Sequence, residues 1–95
     1  MIVLITYDVN TENSVGKKRL KNVAKICKDY GQRVQNSVFE CEIDNALFLK
    51  VKNELIKVID ENKDSLRFYY LGKSRKKIEH FGAKPSFDVT GSLIV

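Results

Sequence analysis

The chain has 95 residues, 43% hydrophobic and 31% charged, with five glycines and one proline; this size makes one domain with a modest core, of the kind that often leans on a second subunit. The composition excludes a disordered or linker-rich chain, no internal repeat is visible, and no apolar run approaches the ~20 residues of a membrane helix. The net charge is +5, from 17 Lys and Arg against 12 Asp and Glu, and with no basic stretch before an apolar core at the N-terminus the expected address is cytoplasmic.

The first element is the run Ile2-Val3-Leu4-Ile5-Thr6-Tyr7-Asp8. Aliphatic and β-branched residues followed by the polar Asn10-Thr11-Glu12-Asn13-Ser14 predict a buried central strand that leaves the sheet into a loop. Its last residue, Asp8, has two readings. A carboxylate fixed by a rigid strand is a ligand for a divalent cation, and an aspartate at a strand end also serves simply to solvate it or to cap the next helix.

Ser14 is then expected to cap a helix over residues 15–30, with Leu20, Val23, Ala24 and Cys27 at helical spacing and Gly31 closing it at C′. Lys17, Lys18, Arg19, Lys21, Lys25 and Lys28 crowd this helix. Residues 32–43 alternate, with Phe39, Cys41 and Ile43 on one face and Glu40 and Glu42 on the other; Gln35-Asn36-Ser37 interrupts them. A short strand, a tight turn and a longer half-exposed strand follow from that pattern.

Asp44 is expected to cap a second helix over residues 45–61, with an apolar stripe of Phe48, Val51, Leu55, Val58 and Ile59. Leu66, Phe68 and Tyr70 alternate with Arg67 and Tyr69 in a further strand ending at Gly72, and a weaker strand over 77–81 follows the basic turn of Lys73, Arg75, Lys76 and Lys77. Leu93-Ile94-Val95 closes the chain, an apolar scrap suited to a sheet edge of this chain or of a partner. Cys27 and Cys41 read as reduced core thiols, since no Cys or His stands at zinc spacing.

The order strand, helix, strand, strand, helix, strand predicts an α+β, ferredoxin-like βαββαβ two-layer sandwich with an extra C-terminal strand. Residues 1–95 form its single domain, with residues 78–95 as the extension. The fold alone carries no function.

Tyr7-Asp8, Arg19 and the segment Gly31-Gln32-Arg33-Val34-Gln35-Asn36-Ser37-Val38-Phe39-Glu40 together resemble the CRISPR-associated endonuclease family, the second core Cas protein of spacer acquisition. The resemblance runs over essentially the whole chain, and the stretch from Arg33 to Glu40 is its most specific part. It implies a symmetric homodimer in which residues 78–95 pack on the partner subunit. Further implications are a bridge between copies of the CRISPR integrase, the first core Cas protein, and Mg²⁺- or Mn²⁺-dependent cleavage of single-stranded RNA or double-stranded DNA. Asp8 falls on the family's acidic metal position; Tyr7, Arg19, Arg33 and Phe39 fall on positions tied to the nuclease site or its support.

The residues bear on that implication directly. Phosphodiester hydrolysis needs a cation to neutralise phosphoryl oxygens and activate water, and one chain offers one well-placed ligand, Asp8. A two-fold axis that brings two first-strand ends together doubles that number. Arg33 is a candidate catalytic group that stabilises charge on phosphate, or it pairs with Glu40 or Glu42. Tyr7 and Phe39 are packing residues or base-stacking platforms; Ser37 bonds phosphate or its own backbone. His80, the single histidine, is structural or a general base.

A second class of function competes. Lys17, Lys18, Arg19, Lys21, Arg75, Lys76 and Lys77 suit non-specific binding to a phosphate backbone, so the chain also reads as a non-catalytic DNA-binding scaffold of the integration complex. A toxin-like ribonuclease is the third reading, because the same fold and basic surface would serve it.

Overall fold

The computed structural model describes residues 1–71 and 76–83. In chain order its elements are β1 (Ile2–Asp8), α1 (Ser14–Tyr30), β2 (Gln32–Gln35), β3 (Val38–Glu42), α2 (Asn45–Val58), β4 (Ser65–Leu71) and β5 (Lys76–Gly82). The strands make one sheet in the order β2-β3-β1-β4-β5, antiparallel throughout. This is the expected ferredoxin-like arrangement, with β5 as the additional strand beside β4. Leu93-Ile94-Val95, Lys73 and Arg75 lie outside the described residues.

β1 is central, as its composition predicts, yet it is not buried on both faces. Val3, Ile5 and Tyr7 are buried, whereas Ile2, Leu4 and Thr6 are only half-covered. Alternation along a strand sends successive side chains to opposite faces. The covered face receives Phe39 and Cys41 from β3, Leu66 and Phe68 from β4, and Val23, Cys27, Phe48, Val51 and Leu55 from the two helices, in one cluster. Both helices therefore sit on one side. The other side of the sheet presents Ile2, Leu4, Thr6, Asp8 and Val38 without a helical layer.

The caps differ instructively from expectation. Asn13, not Ser14, caps α1, its side chain accepting from the Gly16 N–H at 2.8 Å. Asn and Ser are both good caps, and the observed register starts the helix one residue earlier. Gly31 stands at the C-cap in extended backbone rather than at a left-handed C′ position. Its glycine serves close approach, because a Cβ there would lie 2.4 Å from the Cys41 Sγ and 2.7 Å from the Glu40 carbonyl oxygen.

Asp44 caps α2 as expected, accepting from the Leu47 N–H at 2.8 Å. The helix ends at Val58, three residues short of the predicted 61. Asp60 explains this: its carboxylate accepts from the Asn62 N–H at 2.9 Å and its carbonyl from Lys63 and Asp64 at 3.0 and 2.7 Å. An aspartate that bonds the backbone ahead of it favours a turn over continued helix.

β5 is tied to α2 through Glu79. Its carboxylate accepts from the Tyr70 hydroxyl at 2.6 Å and pairs with Lys52 at 3.0 Å. Lys52 also lies 5.1 Å from the Phe48 ring centre. Residues 78–82 of the expected extension thus pair with β4 of their own chain.

Candidate functional site

Asp8 ends β1 opposite Ser65 of β4 and is exposed on the sheet face that the helices leave open. Beside it is an open cleft of about 330 Å³ lined by Asp8, Asn10, Thr11, Glu12 and Lys63. The lining offers carboxylate, hydroxyl and amide oxygens with one ammonium, and no thiol or imidazole. Such donors suit a hard cation that retains waters. Among the described residues no three His, Cys, Asp or Glu side chains stand close enough to hold a metal.

The walls of this cleft are held from behind by Asp64, a fully buried carboxylate that sequence pattern did not single out. Its Oδ1 accepts from the Asn10 N–H at 3.0 Å and from Arg19 Nη2 at 3.2 Å; its Oδ2 accepts from Arg19 Nε at 2.7 Å and from the Asp60 N–H at 2.9 Å. Burial alone pushes the Asp64 carboxyl up. The Arg19 hydrogen bonds, with those from the Asp60 and Asn10 backbones, outweigh it and hold the group below the usual carboxylate range.

Arg19 is thereby separated from the lysines with which its sequence position groups it. Its guanidinium turns in to form a two-pronged pair with Asp64 and to reach the Asn10 carbonyl at 3.5 Å. Gly16 lets α1 come this close, since a Cβ there would be 2.0 Å from the Asn10 oxygen. A carboxylate just ahead of an apolar strand was the available clue to Asp64. An aspartate in that place is ordinary, so the clue was weak.

Tyr7, Arg33 and Phe39 do come together, on the helix side of the sheet. Arg33 is opposite Phe39 in the β2–β3 register and lies 5.0 Å from its ring centre; the Tyr7 and Phe39 rings stack at 6.2 Å. Burial pushes the Tyr7 hydroxyl pKa up, offset in part by the Arg33 charge and its hydrogen bond. Of the two readings for Arg33, then, the glutamate pairing is replaced by contact with Tyr7 and Phe39. Phe39 is fully buried and Tyr7 nearly so, which makes both packing residues. The Ser37 carbonyl accepts from the Tyr7 N–H at 3.1 Å, joining the β2–β3 turn to β1. Asp8, by alternation, is on the opposite face from this stack.

His80 pairs in register with Arg67, one side-chain row and two strands from Asp8, on the order of 12 Å between Cα atoms from ordinary sheet spacings. Burial and then the Arg67 charge push its pKa down. Cys27 and Cys41 are free and buried, and burial pushes their thiols up to about 12 and about 11. They are inert core groups, as expected.

Lys17, Lys18, Lys21, Lys25 and Lys28 are all exposed on α1. Four of them, at 17, 21, 25 and 28, share one side of the helix over roughly 16 Å of its axis. Lys76 and Lys77 open β5, opposite Leu71 and Tyr70. Lys63 in the cleft is a further cation that the charge clusters did not reveal. Among the described residues no helix is long and apolar enough to cross a membrane.

Comparison with known proteins bears on this architecture. A sequence model of the CRISPR associated protein Cas2 family matches residues 1–78. A relative from Halalkalibacterium halodurans named CRISPR-associated endonuclease Cas2 is 59% identical over 99% of each chain. Another, from Nitratidesulfovibrio vulgaris, is named CRISPR-associated endoribonuclease Cas2; it is 55% identical over 100% of this chain and 94% of its own. The crystal structure of Streptococcus pyogenes Cas2 at pH 6.5 superposes with a TM-score of 0.71 at 62% identity, covering 78% of this chain and 89% of that one. With its sheet order, its strand-end aspartate and these relatives taken together, the chain belongs to the Cas2 family of CRISPR-associated proteins.

Proposed function

We propose that this chain is a homodimeric, Mg²⁺- or Mn²⁺-dependent endonuclease of CRISPR spacer acquisition, acting in the cytoplasm, with Asp8 as its metal ligand. The observation that carries the reading is the exposure of Asp8 at the end of the central strand, on the sheet face without a helical layer. A second copy packed on that face covers Ile2, Leu4 and Val38 and brings a second Asp8 to the same cleft. Two carboxylates with waters would then offer oxygen donors to a hard divalent cation. The relatives' names, endonuclease and endoribonuclease, support the reaction class.

When bound, the cation supplies charge neutralisation at the phosphoryl oxygens and a lowered pKa for water. The chain's own residues do the rest. Asp8, at a rigid strand end, would hold the cation. Lys63 and Thr11 line the cleft where they can hold phosphate oxygens. Arg33, through Tyr7 and Phe39, fixes the end of β1 from the helix side. His80 lies two strands away from Asp8, so no histidine stands beside the cleft to take a proton from water, and turnover is expected to be slow.

A second role has its own support. The row of exposed lysines on α1, with Lys76 and Lys77 on β5, suits non-specific binding of duplex DNA while the dimer bridges copies of the integrase. The two roles separate by mutation. In cleavage assays on labelled single-stranded RNA and double-stranded DNA, Asp8→Asn is expected to reduce metal-dependent cutting to the chelator background, with the dimer and its DNA binding intact. Equal cutting by both proteins removes Asp8 from the mechanism and leaves the scaffold as the better account.

A further inference from the structure

We infer that Asp64, through its pair with Arg19, is the positioning residue of the Asp8 cleft: it sets the cleft's width and hence the affinity of the metal site. This rests on the nuclease reading above. The cleft has two walls, residues 10–12 from the β1–α1 loop and Lys63 from the α2–β4 turn. Asp64 is bonded to both. It takes the Asn10 N–H on one oxygen and the Asp60 N–H, which begins the turn carrying Lys63, on the other. Arg19 bonds both carboxylate oxygens and reaches the Asn10 carbonyl, so α1 closes the same circuit.

The first wall is braced further forward. The Asn10 side chain accepts from the Glu12 N–H at 3.0 Å, so the loop from Asn10 to Glu12 is set as a unit by where Asn10 is anchored. On the far side the Asp64 carbonyl accepts from the Ala83 N–H at 2.9 Å, and Ser65, the next residue, is the cross-strand partner of Asp8. The anchor is therefore fixed to the sheet as well as to both walls. Asp64 touches no bulk solvent; it acts through Asn10 and the turn that carries Lys63.

An acceptor is required on both sides of this carboxylate. Asparagine offers one oxygen and one NH₂. Asp64→Asn must therefore set a donor against either the Asn10 and Arg19 Nη2 donors or the Asp60 and Arg19 Nε donors, and one wall comes loose whichever way the amide turns.

The test uses the full chain and three readings: amide hydrogen exchange by NMR, binding of Mn²⁺ alone by electron paramagnetic resonance, and the Mg²⁺ half-saturation of cleavage. In Asp64→Asn, exchange at Asn10 or Asp60 should speed by about tenfold or more while Val3 and Ile5 in the core strand keep their protection. The Mn²⁺ dissociation constant and the Mg²⁺ half-saturation should rise together by a similar factor, with dimer retained. Arg19→Gln, which leaves Asp64 its two backbone bonds, should move all readings the same way by less, and it serves if Asp64→Asn does not fold.

Unchanged Asn10 and Asp60 exchange with unchanged metal affinity overturns the inference. So does a uniform rise in exchange with metal affinity unmoved, which is what a purely structural role produces. A wild-type chain that neither binds Mn²⁺ nor cleaves overturns the nuclease reading itself and this inference with it. That failure shows in the wild type, before any variant is compared.

Discussion

The Asp8 cleft and the outer face of α1 are both charged surfaces, and they are held in opposite ways. Behind the cleft stands a fully buried carboxylate with hydrogen bonds to two loops and a helix. The α1 lysines have exposed side chains whose only common constraint is the helix beneath them. A group fixed from behind can hold a cation in one geometry. A row of flexible ammonium groups attracts phosphate from any sequence, with an affinity that salt screens. On the proposed reading, geometry-dependent chemistry is assigned to the first region and tolerant binding to the second.

The largest effect expected from breaking this contrast is loss of the support beneath the cleft's strand. Phe39 is fully buried under the Tyr7 ring and the Arg33 guanidinium. Phe39→Ala should cost about 3–5 kcal/mol, as large aromatic truncations in cores do, measured by urea unfolding at pH 7. A cost below about 1 kcal/mol would mean that the core relaxes into the space and that β1's end is held by other neighbours.

Acid sharpens the contrast next. Asp64 has a folded-state pKa below its unfolded one, so the unfolded chain binds more protons as pH falls. Its contribution is fully present above the ordinary carboxylate pKa of about 4 and is lost as pH drops through the lower folded value. Asp64→Asn should therefore be less stable than wild type at pH 7, and the gap in unfolding free energy should narrow on acidification below about pH 4. A gap that stays constant would assign the loss to packing rather than charge.

The smallest effect belongs to the helix face. Lys21→Ala with Lys25→Ala should leave folding within about 0.5 kcal/mol of wild type. The pair should lower the salt dependence of duplex binding by about one unit of slope for each phosphate that is no longer neutralised. The reading is binding isotherms across a salt series on unrelated duplexes. An unchanged slope would remove α1 from the DNA surface and direct attention to β5.

Most of the fold was legible because hydrophobic periodicity carries it. The alternation at Phe39, Cys41 and Ile43 and the stripe at Phe48, Val51 and Leu55 dictate which faces are buried. What escaped was set by hydrogen bonds between segments distant in sequence. The early end of α2 follows from Asp60 bonding its own turn, and the inward turn of Arg19 follows from a partner 45 residues away. Asp8 was legible as a candidate because a strand end announces itself; Asp64 and Lys63 became visible only once the loops were side by side. The half-covered Ile2 and Leu4 likewise differ from a fully buried central strand, and that departure marks the face on which a second copy is proposed to sit.

The central claim is that the metal site is completed by two Asp8 carboxylates across a two-fold axis. Its most direct test is the stoichiometry of Mn²⁺ binding to the purified chain, read by electron paramagnetic resonance alongside the same titration of Asp8→Asn. The account predicts one tightly bound ion per two chains in the wild type and none in the variant. One ion per chain, or undiminished binding by Asp8→Asn, would contradict it.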